Sequence, residues 1–91
     1  MMRTFKPGDI LKHFKRELAS EEDKKANKHL YKVIDIAMHT ETGEDMLVYQ
    51  ALYYPFKTFT RPLDMALRKV SKEDYPNVSQ TYCLEIYNGE D

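Results

Sequence analysis

His39-Thr40-Glu41-Thr42-Gly43-Glu44 lies between two largely apolar segments, Leu30 to His39 and Met46 to Tyr54. This arrangement is typical of a β-hairpin. Gly43 is the residue that most easily adopts the positive φ of such a turn. The turn also gathers one histidine, two hydroxyls and two carboxylates. It is therefore both the feature that decides the fold and a candidate site.

Both faces of the segment Leu30 to His39 are largely apolar, which predicts a central strand covered on both sides. Asp35 interrupts this pattern, and we expect it at a bulge or an edge. In the returning strand, Met46 to Tyr54, the alternation of side chains places Tyr49 and Tyr53 on one face.

The rest of the chain predicts three further strands and two short helices. The strands are Ile10 to Phe14, Lys57 to Arg61 and Thr81 to Tyr87. The helices are Ser20 to Lys28, which begins with a Ser-x-x-Asp cap, and a turn from Pro62 to Leu67. Five short strands predict a mainly β fold, either a strongly bent sheet or a partly closed barrel.

Ninety-one residues fit one domain, which we place at residues 7–87 between tails at 1–6 and 88–91. The net charge of −1 hides an asymmetry. Residues 1–32 hold nine Lys/Arg against five Asp/Glu, a net of +4, and residues 33–91 hold five against ten, a net of −5. The chain lacks the broad positive charge of most nucleic-acid binders. A local basic patch remains, formed by Lys12, Lys15, Arg16 and Lys32.

Cys83 is the only cysteine, which excludes an intrachain disulfide and a zinc site built on several cysteines. The stretch Met1 to Lys6 lacks the apolar core of a signal peptide. The longest uncharged run, Met46 to Phe56, is far shorter than the roughly 20 residues of a membrane span. We therefore expect a cytoplasmic protein without a membrane partner. No pattern indicates a cofactor or an oligomeric state.

His39 and Glu41 are two residues apart, so their side chains can point the same way. Three interpretations stay open. In the favoured one, His39 caps the turn while Glu41 and Thr42 bond free amides there. In the second, these residues contact a ligand. In the third, His39 and Glu41 act as base and orienting carboxylate, or bind a metal with His13.

Arg61 precedes Pro62 at a strand end, where a guanidinium can hold a carboxylate or phosphate through two parallel hydrogen bonds. A salt bridge to Glu41, Glu44 or Asp64 is the equal alternative.

Four tyrosines on the central strands offer material for a binding groove, and core packing is the favoured role for at least Tyr31 and Tyr49. The other two are Tyr53 and Tyr54. His13 and Lys15 alternate along the first strand and so flank one face.

Several segments recur in a characteristic order: Gly8 to Lys15, Tyr31 to Ala37, His39 to Glu44, Val48 to Tyr53, Arg61 to Met65, and Asp74 to Val78 with Tyr82. In these segments the chain resembles a family of small bacterial and phage domains known as domain of unknown function 1653. The likeness covers roughly residues 7–87. It implies a small SH3-like barrel and no catalytic residues, because the role of the family is open. Cys83-Leu84 departs from the Arg-Phe that is more common there.

Together these observations predict a non-enzymatic binding module for a small anionic molecule or a peptide, with no catalytic residue and no metal. One alternative is a nucleic-acid-binding domain that uses the Lys12-to-Lys32 face. The other is a small enzyme that uses His39 and Glu41. The predicted ligand-binding residues are His13, Lys15, His39, Glu41, Thr42, Tyr49, Tyr53 and Arg61.

Overall fold

A computed structural model describes residues 4–89 as one five-stranded antiparallel sheet in the order β4-β3-β2-β1-β5. This confirms the prediction of a mainly β domain with five antiparallel strands. The strands are Ile10–His13 (β1), Leu30–Met38 (β2), Asp45–Ala51 (β3), Thr58–Pro62 (β4) and Leu84–Ile86 (β5).

The sheet is open, because β4 and β5 lie at its two edges and are not paired with each other within residues 4–89. Among the described residues, the five predicted strands thus form one sheet that is not closed into a barrel.

Two short α-helices and a 3-10 helix connect the strands, at Glu21–Lys25 (α1), Leu63–Ala66 (α2) and Phe14–Leu18. The Ser20 hydroxyl accepts a hydrogen bond from the Asp23 amide at 3.1 Å, which confirms the predicted cap. Helix α1 ends earlier than predicted, since the chain leaves helical geometry at Asn27, where φ is 65°.

The hairpin of β2 and β3 forms as the sequence predicts, with Gly43 at a φ of 76°. The pairing shifts between Val33 and Asp35, which confirms the expected bulge at Asp35. The prediction that β2 is covered on both sides is wrong. Ile34 follows the buried Val33, so alternation points it to the opposite face, where it is 44% exposed, and Met38 is 67% exposed at the strand end.

One face of the sheet, called here the inner face, carries the main core. Leu11, Val33, Leu47 and Leu84 are almost fully buried there, and Ala66 of α2 packs against them. Phe5, which the sequence places in the tail, is also part of this core at 4% exposure. Other residues of the two predicted tails, 1–3 and 90–91, lie outside the described residues.

A second, smaller core joins the 3-10 helix to the segment 68–83. It consists of Phe14, Val70, Val78 and Cys83, with Tyr75 packed against it. Within residues 4–89, no helix combines the length and the apolar character needed to cross a membrane.

Candidate functional site

The strand pairings place His13 and Arg61 on the inner face. His13 follows Leu11 by two residues on β1, and Leu11 is fully buried in the core. Arg61 pairs directly with Leu47, another fully buried core residue, and paired residues share a face. The ladder of β4 with β3 therefore points Arg61 toward the same side of the sheet as His13.

Curvature of the sheet brings these two residues together. Neighbouring strands lie about 4.8 Å apart, so a flat sheet would separate β1 from β4 by about 14 Å. Yet His13 and Arg61 line one pocket of about 430 Å³. The charge of Arg61 also contributes to the pKa shift of His13. The inner face is thus concave, and its hollow holds side chains from both β1 and β4.

Basic residues dominate the lining of this hollow, which we call the basic pocket. They are His13, Lys15, Arg61, Arg68 and Lys69, against the single carboxylate of Asp74. Its apolar wall is formed by Phe14, Tyr75 and Cys83, and Ser71 adds a hydroxyl.

Arg61 forms no ion pair with Glu41, Glu44 or Asp64 among residues 4–89, so the salt-bridge interpretation has no contact to support it. The guanidinium instead lies near the Tyr49 hydroxyl, where its charge partly offsets the rise that burial causes in the pKa of Tyr49. A guanidinium has five N–H donors, so Arg61 keeps donors for a further acceptor.

Backbone hydrogen bonds of the segment 68–83 bring two of the basic residues to the pocket. The Cys83 amide donates to the Arg68 carbonyl at 2.9 Å, and the Val70 amide donates to the Thr81 carbonyl at 2.9 Å. The Phe14 amide then donates to the Cys83 carbonyl at 3.0 Å. These bonds tie the segment to the end of β1, so Arg68 and Lys69 border the same hollow as His13.

His13 presents one defined hydrogen-bond donor. Its Nδ1 accepts the Lys15 amide at 3.1 Å, so a neutral ring carries its proton on Nε2. Burial, together with the charges of His29, Lys15 and Arg61, lowers the pKa of His13 to about 4. The ring is therefore neutral at pH 7, and its Nε2–H is a donor without a positive charge.

Aromatic rings form a continuous row across the inner face beside Arg61. Tyr31 and Tyr49 meet edge to face at 5.3 Å, and Tyr49 lies 5.7 Å from Phe59. The hydroxyls of Tyr31 and Tyr53 are 2.8 Å apart. Burial raises the pKa of Tyr31 and of Tyr49 above the usual value. Both rings pack against the main core, in agreement with the favoured packing role, whereas Tyr54 is 85% exposed.

The hairpin turn is separate from the basic pocket and bonds mainly to itself. His39 Nδ1 accepts the amides of Glu41 at 3.1 Å and Thr42 at 3.4 Å. The Thr42 hydroxyl accepts the Glu44 amide at 3.3 Å. His39 thus contacts the backbone of Glu41 and not its carboxylate, which is the capping geometry.

The structure therefore divides the predicted site residues into two groups. His13, Lys15 and Arg61 line the basic pocket, while Tyr49 and Tyr53 belong to the aromatic row beside it. No three His, Cys, Asp or Glu side chains within residues 4–89 are grouped to hold a metal ion. The hairpin residues, His39, Glu41 and Thr42, do not line the pocket.

A second pocket, of about 470 Å³, lies around Lys12, Arg16, Glu17 and Gln80. The side chains of Arg16 and Glu17 in this pocket form hydrogen bonds to backbone groups of other segments. Arg16 is 4% exposed and donates to the Lys28 carbonyl at 2.8 Å. Glu17 accepts the amides of Ser79 at 2.9 Å and Gln80 at 2.8 Å. Because its buried guanidinium is engaged in this way, Arg16 adds little to the predicted basic face between Lys12 and Lys32.

Sequence reasoning missed Arg68 and Lys69. Both lie after α2 in a segment without regular strand or helix, where no periodicity assigns side chains to a face. The only signal is the basic pair itself, placed shortly before the Ser71-to-Asp74 turn.

Residues 9–77 match the family described as protein of unknown function (DUF1653), and the chain belongs to that family. The matched range includes His13, Lys15, Arg61, Arg68 and Lys69, and ends before Cys83. No curated protein and no solved structure matches the chain.

Proposed function

We propose that this DUF1653 protein is a non-enzymatic binding module whose basic pocket holds a small anionic molecule or the acidic group of a peptide. The observation that supports the proposal is a hollow lined by four cationic residues and one histidine against one aspartate. Because like charges repel one another, such a group lowers its electrostatic energy when an anion enters.

The size and make-up of the pocket fit a small ligand. A volume of about 430 Å³ lies within the range of roughly 300–1,000 Å³ of small-molecule sites. Arg61 is half-buried, where a charge-assisted hydrogen bond is stronger than at the open surface. Arg61 and Arg68 supply planar forks for oxygen anions, and Lys15 and Lys69 supply point charges. The single cysteine of the chain supports a reducing cytoplasm as the setting.

Binding is favoured over catalysis because the one imidazole of the pocket offers a hydrogen-bond donor and not a base. Nδ1 of His13 is occupied by the Lys15 amide, so the neutral ring offers Nε2–H and no free acceptor nitrogen for a base. At the hairpin, His39 Nδ1 bonds amides and is not oriented by the Glu41 carboxylate. The pairing that the enzyme alternative needs is therefore not formed.

The test is a thermal-shift and calorimetric titration with three anions, benzoate, citrate and phenyl phosphate. A ligand that binds the folded state raises its stability. We expect at least one anion to stabilise the wild-type protein, and Arg61→Gln or Arg68→Gln to abolish that effect. The matched control is Lys57→Gln, which removes one positive charge outside the pocket. The proposal would be contradicted if Arg61→Gln and Arg68→Gln bound the anion as tightly as the wild type does. It would also be contradicted if the wild type bound none of the three anions.

A further inference from the structure

The net charge of the residues that line the basic pocket favours a ligand with more than one negative charge. At pH 7 the ammonium and guanidinium groups of Lys15, Arg61, Arg68 and Lys69 contribute four positive charges. Asp74 contributes one negative charge, and His13 is neutral because its pKa lies near 4. The lining thus carries a net charge of +3, and a ligand with one negative charge would leave +2 in the hollow.

Building on the proposed function, we propose that the ligand of the basic pocket is a phosphate monoester that carries a planar ring. A phosphate monoester has a charge of about −1.5 to −2 at pH 7 and three strong acceptor oxygens. Those oxygens suit the two guanidinium forks, the two ammonium groups and the His13 Nε2–H. A carboxylate has two oxygens and one charge, and so leaves more of these donors unpaired.

The apolar wall of the pocket gives the ring a place to lie. Tyr75 is half-exposed and is fixed by Phe14, whose ring it meets edge to face at 4.7 Å. Its backbone is held as well, because the Tyr75 amide donates to the Ser71 carbonyl at 2.9 Å. A fixed aromatic ring beside cationic donors offers a stacking surface next to an anion site. One ligand can therefore use both features only if it joins a phosphate to a flat ring.

The requirement for two negative charges on the ligand is tested by calorimetry at pH 8, which compares phenyl phosphate with phenyl sulfate. The two ligands share the ring and the tetrahedral group, but the phosphate is a dianion and the sulfate a monoanion. We expect phenyl phosphate to bind about tenfold more tightly, since a second charge near several cations adds this order of Coulomb energy. Arg68→Gln should reduce this preference, and Lys57→Gln should retain it. Equal affinity for both ligands would overturn the phosphate assignment and leave anion binding intact.

The requirement for a planar ring in the ligand is tested with orthophosphate, glycerol 3-phosphate and adenosine 5′-monophosphate. We expect the two ring-bearing esters, phenyl phosphate and adenosine monophosphate, to bind more tightly than the two ligands without a ring. Tyr75→Ala should remove that difference and leave the binding of orthophosphate unchanged. If orthophosphate binds as tightly as the esters, the pocket is a site for free phosphate and the ring is not recognised. If no ligand of either set binds, both this inference and the proposed function are wrong.

Discussion

Arg61 on β4 and His13 on β1 face the same pocket, although β2 and β3 lie between their strands. The relationship depends on the curvature of the sheet, because two strands separate β1 from β4. Burial is the main cause of the lowered pKa of His13, and the positive charge of Arg61 adds to it by disfavouring a proton on the ring. Because the sheet is concave, positively charged residues from distant strands line one hollow. A flat sheet would keep these residues apart.

Acidification should destabilise the protein through His13. Its pKa is about 4 in the folded state against 6.5 when unfolded, so the unfolded chain binds more protons between those values. The stabilising contribution is complete above pH 6.5 and is lost as the pH falls toward 4. The full shift corresponds to about 3 kcal/mol, and we expect about 2 kcal/mol because part of the ring meets solvent, which screens the charges.

The measurement is the free energy of unfolding in urea at pH 7.5 and at pH 4.5 for the wild type and His13→Asn. The asparagine oxygen can still accept the Lys15 amide, so the variant removes the titration and keeps the local bond. His39→Asn, in the hairpin turn, is the matched control. If His13→Asn loses as much stability on acidification as the wild type, the assignment to His13 is wrong.

Removal of the Tyr53 hydroxyl should weaken the aromatic row. That hydroxyl is 2.8 Å from the hydroxyl of Tyr31, which is half-buried. We expect Tyr53→Phe to lower the free energy of unfolding by about 1 kcal/mol, as for the loss of one intramolecular hydrogen bond. Tyr54→Phe should change it little, because Tyr54 is 85% exposed. Equal effects of the two substitutions in urea unfolding would contradict this role of Tyr53.

The backbone at Phe56 should favour glycine over alanine. Phe56 has a φ of 59° and is 52% exposed, so its geometry is unfavourable for any side chain. We expect Phe56→Gly to be more stable than Phe56→Ala by about 0.5–1 kcal/mol in thermal or urea unfolding. At Thr58, in strand β4, the order of the same two substitutions should be reversed. An alanine variant as stable as the glycine variant at position 56 would show that the positive φ carries no cost.

Glu17 should stabilise the link between the 3-10 helix and the segment 68–83. Its carboxylate accepts the Ser79 amide and hydroxyl, both at 2.9 Å, and the Gln80 amide at 2.8 Å. We expect Glu17→Ala to cost about 1–2 kcal/mol of unfolding free energy, since bonds to a charged acceptor are stronger than neutral ones. Glu73→Ala, on the exposed surface, is the control. A loss no larger than that of Glu73→Ala would contradict the role of Glu17.

Local patterns in the sequence predicted the elements that depend on near neighbours. Gly43 and the apolar runs on either side of it specify the hairpin, and Ser20 with Asp23 specifies the start of α1. The bulge at Asp35 was expected because a single charged residue interrupts an apolar strand. These features depend on backbone geometry and alternation within a few residues, which the sequence states directly.

The candidate site was predicted less well, because it depends on contacts between distant segments. The sequence singled out Arg61, which lines the pocket, but its neighbours Arg68 and Lys69 are placed by hydrogen bonds between residues 68–70 and 81–83. The hairpin turn was chosen for its polar side chains, which bond within the turn. A dense group of polar residues in a sequence does not distinguish a site from a well-capped turn.

The most direct test of the anion site is a titration of the ¹⁵N-labelled protein with phenyl phosphate, followed by amide chemical shifts. We predict that the amides that move most belong to His13, Lys15, Arg61, Arg68 and Lys69, and that those of residues 39–44 stay in place. Saturable shifts confined to residues 39–44, or no saturable shifts at all, would contradict the claim that the concave face of this sheet binds an anion.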